Sequence, residues 1–273
     1  MKNQILCSTG ALIGRPNGRD YRLLKAFSEK LDCDGFELMM YSDWYGKEKE
    51  IAAYLADNGI KTPSYHCQKS IGEGISKGGD DAPDAFRRFK INAEMAREIG
   101  AEKMVMHLWD GLTSDAHIER NIEAYKTLRE IADANGVKLL IENVVCNQKT
   151  PMEHWCELRD VYPDIEFVFD TKMAAFHGQL EQIYEKEYEW LWKEEHIKHY
   201  HVNDYGGGIK DWTNMKVLPI GKGHIDFVRF FIFVKETAYE GSFTLESTAF
   251  DHKGCVDFDM LNEQIKYIRE FEG

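Results

Sequence analysis

The feature that most constrains the fold of this chain is a regular alternation between short apolar runs and segments with helical periodicity. Eight runs have the length of a buried strand, and they are spread over all 273 residues. The predicted strands are residues 4–8, 35–39, 61–66, 103–107, 138–142, 166–170, 196–203 and 242–246. Because parallel strands need a crossover segment between them, usually a helix, this alternation predicts a parallel sheet.

The segments between the predicted strands carry signals for helix starts. Asp20 and Asp226 can each cap a helix whose apolar side chains face the core, and Pro83 can open another. Ser114 or Asp115 is predicted to begin the helix that follows the fourth strand. The other predicted helical segments are residues 47–58, 152–161, 180–184 and 261–268.

Eight strand-helix units in a chain of this length favour a closed barrel over an open doubly wound sheet. One (β/α)8 barrel takes about 250 residues. No Gly-x-Gly-x-x-Gly motif follows the first strand, which argues against a dinucleotide-binding sheet. No linker rich in proline, glycine or serine separates two halves. The sequence therefore predicts an α/β fold, a (β/α)8 TIM barrel, as a single domain over residues 1–273.

Composition narrows the possible partners and compartments. The net charge of −13 comes from 47 acidic and 34 basic residues, and such a chain repels nucleic acid and anionic membranes. No apolar run approaches the ~18 residues that span a bilayer, and the amino terminus lacks the apolar core of a signal peptide. The six cysteines are scattered without a Cys-x-x-Cys pair, which suits a reducing cytoplasm. We expect a cytoplasmic protein that binds neither nucleic acid nor membrane.

Polar residues end most of the predicted strands. In a barrel of this kind the active site forms at the carboxyl ends of the strands. On the seventh strand, His199, His201 and Asn203 share one face because side chains alternate along a strand. The inward-facing candidates near the strand ends are Glu37, His66, His107, Glu142, Asp170, His201 and Glu246.

Several of these candidates are carboxylates, which would repel one another at a single barrel mouth. Taken singly, each acid could instead cap the helix that follows its strand. Together they would cost several kcal/mol in like-charge repulsion and desolvation, and a divalent cation removes that cost. Oxygen ligands with one imidazole suit Mn²⁺, Mg²⁺, Co²⁺ or Zn²⁺. The sequence predicts one divalent cation of this group as a cofactor.

Four segments resemble, in the same order, the xylose isomerase-like barrels. They are Ile141-Glu142-Asn143, Phe169-Asp170-Thr171, His201-Val202-Asn203-Asp204 and the run from Leu218 to Phe227. That superfamily holds sugar isomerases and epimerases, hydroxypyruvate isomerase, inosose dehydratase and nucleases of the endonuclease IV type. The resemblance spans essentially the whole chain, and the order of its short motifs is fairly specific.

The resemblance implies a metal-dependent sugar isomerase or epimerase that works through an enediolate. Glu142, Asp170, His201 and Glu246 would hold the metal, with Glu142 and Glu246 as the acid/base pair beside the substrate. His66 and His107 match positions that the nuclease branch uses for additional zinc ions and that sugar enzymes more often use near the substrate. The residues predicted to contact a sugar or sugar-like polyol are Glu37, Tyr65, His66, His107, Trp109 and Asn203.

Two positions depart from the family pattern. Many members have a histidine three residues after the aspartate of the sixth strand, where this chain has Met173. Lys222 stands where a glutamate is common within the Gly-x-Gly motif. The alternatives to an isomerase are therefore a sugar or inosose dehydratase, an endonuclease IV-like nuclease and a sugar-binding barrel without catalysis. Barrels of this type commonly pair through helical faces, so the oligomeric state is left open, with a homo-oligomer among the alternatives.

Overall fold

The computed structural model describes residues 3–272. Eight parallel strands close into a barrel in sequence order, which confirms the predicted (β/α)8 fold. The strands are β1 Gln4–Ser8, β2 Gly35–Met39, β3 Ser64–His66, β4 Lys103–Met106, β5 Lys138–Glu142, β6 Glu166–Asp170, β7 Ile197–Val202 and β8 Ser242–Leu245. Met1, Lys2 and Gly273, which the predicted domain of residues 1–273 includes, lie outside the described residues. The extent of that domain stays a prediction.

Helices surround the strands and provide the crossovers. They are α1 Thr9–Leu12, α2 Leu24–Ser28, α3 Glu48–Asp57, α4 Ser70–Lys77, α5 Asp81–Glu98, α6 Ile118–Ala134, α7 Pro151–Val161, α8 Thr171–Phe176, α9 Trp190–Lys193, α10 Phe227–Glu236 and α11 Phe258–Glu272. Asp226 caps α10 as predicted, because its carboxylate accepts the backbone N–H of Arg229 at 3.0 Å. Between residues 3 and 272, no helix combines the length and the apolarity that crossing a membrane requires.

The described residues fall into two compact units. The first unit takes the residues up to Glu37, those from Asp57 to Lys61 and those from Phe169 onward. It contains β1, β7 and β8, and among the predicted site residues it holds Glu37, Asp170, His201, Asn203 and Glu246. The second unit comprises Leu38–Ala56 and Thr62–Val168. It contains β3, β4 and β5, and it holds Tyr65, His66, His107, Trp109 and Glu142.

The strand register places apolar side chains beneath the polar strand ends. Glu142, the last residue of β5, pairs with Val168 of β6. Because side chains alternate along a strand, Asp170 points to the same face as Val168. Val105, Leu140 and Val168 form a buried apolar cluster on this inward face. The polar residues at the carboxyl ends of these strands therefore lie next to a buried apolar layer.

The ladder between β7 and β8 has a more polar interior. His199 pairs with Ser242 and His201 pairs with Thr244, so all four side chains lie on one face. The side chains of His199, His201, Ser242 and Thr244 are almost completely buried. Glu246 follows two residues after Thr244, just beyond the end of β8. Burying this many polar groups requires that they bond to one another.

Strand β3 is shorter than predicted. The sequence indicated a strand over residues 61–66, whereas β3 covers only Ser64–His66. Pro63 explains the difference, since proline has no N–H to donate to a sheet ladder. Its carbonyl still accepts the backbone N–H of Glu102 at 3.0 Å. The predicted end at His66 is correct.

The helix after β4 starts later than the sequence indicated. We predicted its start at Ser114 or Asp115, but α6 begins at Ile118. Ser114 has a φ of 45°, which no right-handed helix allows. The Asp115 carboxylate is occupied elsewhere, because it accepts backbone N–H groups of residues 147–149 at 2.7–3.0 Å. Asp115 therefore accepts backbone N–H groups as a capping residue does, but those groups belong to residues 147–149 and not to α6.

Helix α4 was not predicted, because its two glycines have the appearance of a loop. At Gly72 an added Cβ would lie 2.2 Å from the carbonyl oxygen of His107 and 2.6 Å from that of Leu108. The Asn121 side chain donates to the carbonyl oxygens of Gly72 and Leu108 at 3.0 and 2.6 Å. The glycine thus permits a close approach between α4 and the end of β4.

Candidate metal centre

Glu37 lies between two histidines inside the first unit. Its Oε1 is 3.0 Å from Nε2 of His201, and its Oε2 is 3.0 Å from Nε2 of His199. All three side chains are fully buried. Burial by itself raises the pKa of Glu37, but the charges of and hydrogen bonds from His201 and His199 outweigh it and hold that pKa well below its usual value. Glu37 is therefore a buried anion with two imidazole partners.

Asn203 joins two of the predicted metal ligands. Its amide nitrogen lies 3.4 Å from Oδ2 of Asp170 and 3.3 Å from Oε2 of Glu246. Its amide oxygen accepts the backbone N–H of Glu246 at 3.2 Å. On the other side, Nδ1 of His201 is 3.6 Å from Oε2 of Glu246. The structure thus brings Asp170, His201 and Glu246 together, with one ligand atom of each within 4.8 Å of the others.

Asp170 also caps the helix that follows its strand. Its Oδ1 accepts the backbone N–H of Met173 at 2.7 Å, which leaves Oδ2 directed to Asn203. Asp170 can therefore cap the helix through Oδ1 and still offer Oδ2 to a metal. Thr171 fixes the start of the same helix, because its hydroxyl donates to the carbonyl of Asn203 at 2.7 Å. Met173 contributes no polar side-chain group at the position where many family members have histidine.

In the second unit, two histidines face the carboxylate of Glu142. Nε2 of His107 lies 2.8 Å from Oε2 of Glu142, and Nε2 of His66 lies 3.4 Å from the same atom. Nδ1 of His66 is 2.8 Å from the carbonyl of Cys67, to which it can only donate. Nδ1 of His107 is 2.9 Å from Oδ2 of Asp110. Histidines held in this way through one nitrogen present the other to a cation or to a shared proton.

The pKa of His107 responds to this arrangement. Burial alone would lower it, but the charges of Glu142 and Asp110 and the hydrogen bonds to both raise it from 6.5 to about 9. Conversely, burial would raise the pKa of Asp110, whereas the His107 charge and hydrogen bond lower it. Without a metal, the imidazole of His107 is a cation held between two carboxylates.

Protonated His107 should stabilise the metal-free protein in a defined pH range. The folded state keeps this proton up to about pH 9, whereas an unfolded histidine releases it near 6.5. The stabilisation of the folded state by protonated His107 is therefore complete below pH 6.5 and is lost as the pH rises through about 9. We expect the difference in unfolding free energy between the native protein and His107→Gln to fall by at most ~3 kcal/mol over this range. Urea denaturation of chelator-treated protein measures it, and a pH-independent difference would contradict the assignment.

Two aromatic residues that we predicted as sugar contacts lie in packed surroundings. Tyr65 precedes His66 on β3 and so points to the opposite face, where its hydroxyl donates to Oδ1 of Asn92 at 3.1 Å. Trp109 is fully buried, with its ring centroid 5.3 Å from that of His154. The structure does not bring Tyr65 to the carboxylates. The roles of both rings in substrate binding stay predictions.

A third group of possible ligands was not predicted. Asp115, Cys146 and His154 are buried and have ligand atoms within 4.8 Å of one another. Besides accepting from residues 147–149, the Asp115 carboxylate lies 2.9 Å from Nε2 of His154. Burial raises the pKa of Asp115, yet these hydrogen bonds lower it well below its usual range. Because donors already surround this carboxylate, we interpret the group as the anchor of the segment that follows Glu142.

Two further residues at the candidate centre escaped the sequence analysis as site residues. Asp110 lies in a loop after β4, and only its spacing of three residues from His107 could have indicated the contact. His199 shares a strand face with His201, which the alternation did show. Its bond to Glu37, however, joins positions 162 residues apart and has no local signal.

Comparison with known proteins gives both a family and a fold. The sequence profile of the family described as xylose isomerase-like TIM barrel matches residues 26–271. Comparison with curated proteins found no match. A provisionally named sugar phosphate isomerase/epimerase from Anabaena variabilis is 16% identical, with a TM-score of 0.72 and coverage of 99% of this chain and 98% of that one.

Two epimerases of known structure resemble this chain about as closely as the Anabaena protein does. D-psicose 3-epimerase from Clostridium cellulolyticum, solved with D-tagatose, is 17% identical with a TM-score of 0.68, and 98% of each chain is covered. D-allulose 3-epimerase from Methylomonas sp., in complex with D-allulose, is 14% identical with a TM-score of 0.69. In that comparison 98% of this chain and 97% of the other are covered. At these identities the likeness establishes the fold.

Proposed function

This chain belongs to the xylose isomerase-like TIM barrel family, and we propose that it is a divalent-metal-dependent sugar isomerase or epimerase. The observation that carries the proposal is the convergence of Asp170, His201 and Glu246 within the first unit, whose ligand atoms lie within 4.8 Å of one another. Two carboxylates this close and mostly buried are unfavourable without a cation between them. Their oxygens together with one imidazole fit a divalent metal, as expected from the sequence.

The strand register gives independent support for including Glu142 in this set. Glu142 pairs with Val168, and Asp170 follows on the same face of β6. On the other side, His201 pairs with Thr244, and Glu246 follows two residues later. The four proposed ligands therefore lie at or next to the carboxyl ends of four successive strands. That is where barrel enzymes build their active sites.

The proposed chemistry is a proton transfer between neighbouring carbons of a sugar. A bound divalent cation would polarise a ketose carbonyl and its neighbouring hydroxyl, which acidifies the C–H bond between them. One of the two carboxylates, Glu142 or Glu246, then takes the proton and leaves an enediolate. If the same group returns the proton to the adjacent carbon, and the hydroxyl proton passes to the former carbonyl oxygen, the product is an isomer. If the other group returns it to the opposite face, the product is an epimer.

The surroundings of the two glutamates support unequal roles. Glu142 is 3% exposed and lies against His107, which can hold or supply a proton. The side chain of Glu246 is 13% exposed, and its carboxylate contacts the Asn203 amide. We therefore propose that Glu246 meets the substrate from the accessible side and that Glu142 works from the buried side. Elimination of a hydroxyl from the same enediolate would give the dehydratase reaction, which is the alternative on this site.

Lys172 supports testing sugars with an anionic group. It follows Thr171 in the first turn of α8, and only 7% of its surface is exposed. Its side chain forms no ion pair or hydrogen bond with the residues from 3 to 272. Its ammonium nitrogen is not sealed off from solvent, so an anion can reach it. We propose that a phosphate or carboxylate of the substrate meets this ammonium group.

The orientation of His66 and His107 gives a second candidate function some support. Both rings direct Nε2 to Glu142, which is compatible with a second metal ion and a hydrolytic reaction of the nuclease type. Met173 and the net charge of −13 argue against it. Metal analysis of purified protein separates the two: we expect one divalent ion per chain, whereas two ions with incision of abasic-site DNA would support the nuclease.

The proposal is tested by incubating the metal-loaded protein in D₂O with free and phosphorylated ketoses. We expect deuterium at a carbon next to the carbonyl of at least one sugar, together with an isomer or epimer, because the transferred proton exchanges with solvent. Mass spectrometry and proton NMR detect both results. Tight binding of a sugar without deuterium incorporation would instead indicate a barrel that binds sugars without catalysis.

A further inference from the structure

We propose that Glu37 is a positioning residue that selects the ring nitrogen through which His201 binds the cation. The inference rests on the proposed metal site, but it concerns a residue that our sequence analysis assigned to substrate contact. Glu37 is completely buried. Its contacts within the first unit point to a different role.

The two oxygens of Glu37 are divided between two imidazoles. Oε1 lies 3.0 Å from Nε2 of His201 and Oε2 lies 3.0 Å from Nε2 of His199. An ionised carboxylate only accepts hydrogen bonds, so each Nε2 must carry a proton to make its contact favourable. In a neutral imidazole the proton on Nε2 leaves the lone pair on Nδ1.

The lone pair of His201 then points to the candidate metal centre. Nδ1 of His201 lies 3.6 Å from Oε2 of Glu246, whereas Nε2 faces Glu37 on the opposite side of the ring. The two nitrogens of one imidazole are thus divided between a buried anion and the proposed ligand set. Ligating histidines generally donate their other ring N–H to a carboxylate or carbonyl, which fixes the orientation of the ring and raises its basicity.

The second histidine holds Glu37 in place from the other side. Nδ1 of His199 is 2.6 Å from the Ser242 hydroxyl, which can donate to it, while Nε2 donates to Glu37. The hydroxyl of Thr244 lies 2.9 Å from the same Nε2. The contacts in the chain Ser242–His199–Glu37–His201 are therefore consistent with a proton on Nε2 of each histidine. They also give the buried carboxylate one hydrogen-bond donor, His199, and a second imidazole within 3.0 Å, without which its burial would be strongly unfavourable.

Nitrogen-15 NMR of the zinc-loaded wild-type protein, labelled at histidine, tests the assignment without any variant at Glu37. We expect the His201 spectrum to show a metal-bound Nδ1 and a protonated Nε2, and His201→Gln identifies its signals by their loss. Zinc on Nε2 of His201 would overturn the inference and leave the proposed function intact. A protein that binds none of Zn²⁺, Mn²⁺, Co²⁺ and Mg²⁺ would overturn both, so the two failures are distinguishable.

The variant Glu37→Gln tests the consequence for affinity. Glutamine has the same shape, but its amide cannot accept hydrogen bonds from both imidazoles. We expect the dissociation constant for Zn²⁺, measured by competition with a chromophoric chelator, to rise by about 10–100-fold. The His201 signals should also change, which a purely structural effect elsewhere in the barrel would not cause. Glu270→Gln, at an exposed position on α11, is the matched control and should leave the affinity unchanged.

Unchanged affinity and an unchanged His201 spectrum in Glu37→Gln would overturn the proposal. If this variant does not fold, the wild-type spectrum still decides, because it reports the coordinating nitrogen directly.

Discussion

Replacing Glu246 by glutamine should lower the rate of sugar C–H exchange by about 10³-fold, since a positioned acid/base group typically contributes ~10²–10⁴-fold. The variant loses the proposed base on the accessible side and weakens the metal site at the same time. The glutamine amide retains the size of the side chain, and 13% exposure of Glu246 makes the change tolerable to the fold. Deuterium incorporation under saturating metal measures the rate, and metal analysis shows separately whether the ion is still bound.

A matched control and a second variant complete this test. Glu236→Gln removes an exposed carboxylate at the end of α10 and should leave the exchange rate unchanged. Glu142→Gln should be as damaging as Glu246→Gln, because both carboxylates are proposed metal ligands. An exchange rate within threefold of wild type in folded, metal-loaded Glu246→Gln would remove this residue from the mechanism.

Replacing Gly223 by alanine should destabilise the protein by about 3 kcal/mol, at the upper end of what overpacking costs. A Cβ at this position would lie 2.2 Å from the carbonyl oxygen of Tyr205 and 2.3 Å from Oδ1 of Asp204. The neighbouring backbone cannot withdraw, because the Asp204 carboxylate accepts the N–H groups of Tyr205, Gly221, Gly223 and Ile225 at 2.8–3.1 Å. Urea denaturation measures the loss.

Gly208→Ala is the control on the same loop, because nothing lies within 4 Å of an added Cβ there. We expect it to change the unfolding free energy by less than about 0.5 kcal/mol. Limited proteolysis should additionally show faster cleavage between residues 205 and 223 in Gly223→Ala than in the control. Equal stability of the two variants would mean that Asp204 does not hold this loop rigidly.

The strands were predicted well because their signals are local. Buried parallel strands are nearly continuous apolar runs, and β1, β2, β5 and β6 have the predicted bounds. Two of the misses occurred where a distant group competed with a local preference, whereas β3 was shortened by a local residue, Pro63. The carboxylate of Asp115 bonds to the backbone after β5 instead of capping α6, and Gly72 permits a helix at a place where glycine usually indicates a loop.

The candidate residues themselves could also be read from the chain, because strand alternation and barrel topology decide which side chains face inward. The sequence alone thus determined the closed barrel and the inward set that includes Glu142, Asp170, His201 and Glu246. Only the tertiary structure decided the partners of each group: Asn203 between two carboxylates, and Glu37 between two histidines. The reason is physical. The face of the sheet that a side chain occupies follows from the two-residue period of its own strand. A hydrogen bond depends on distances between strands that are far apart in sequence.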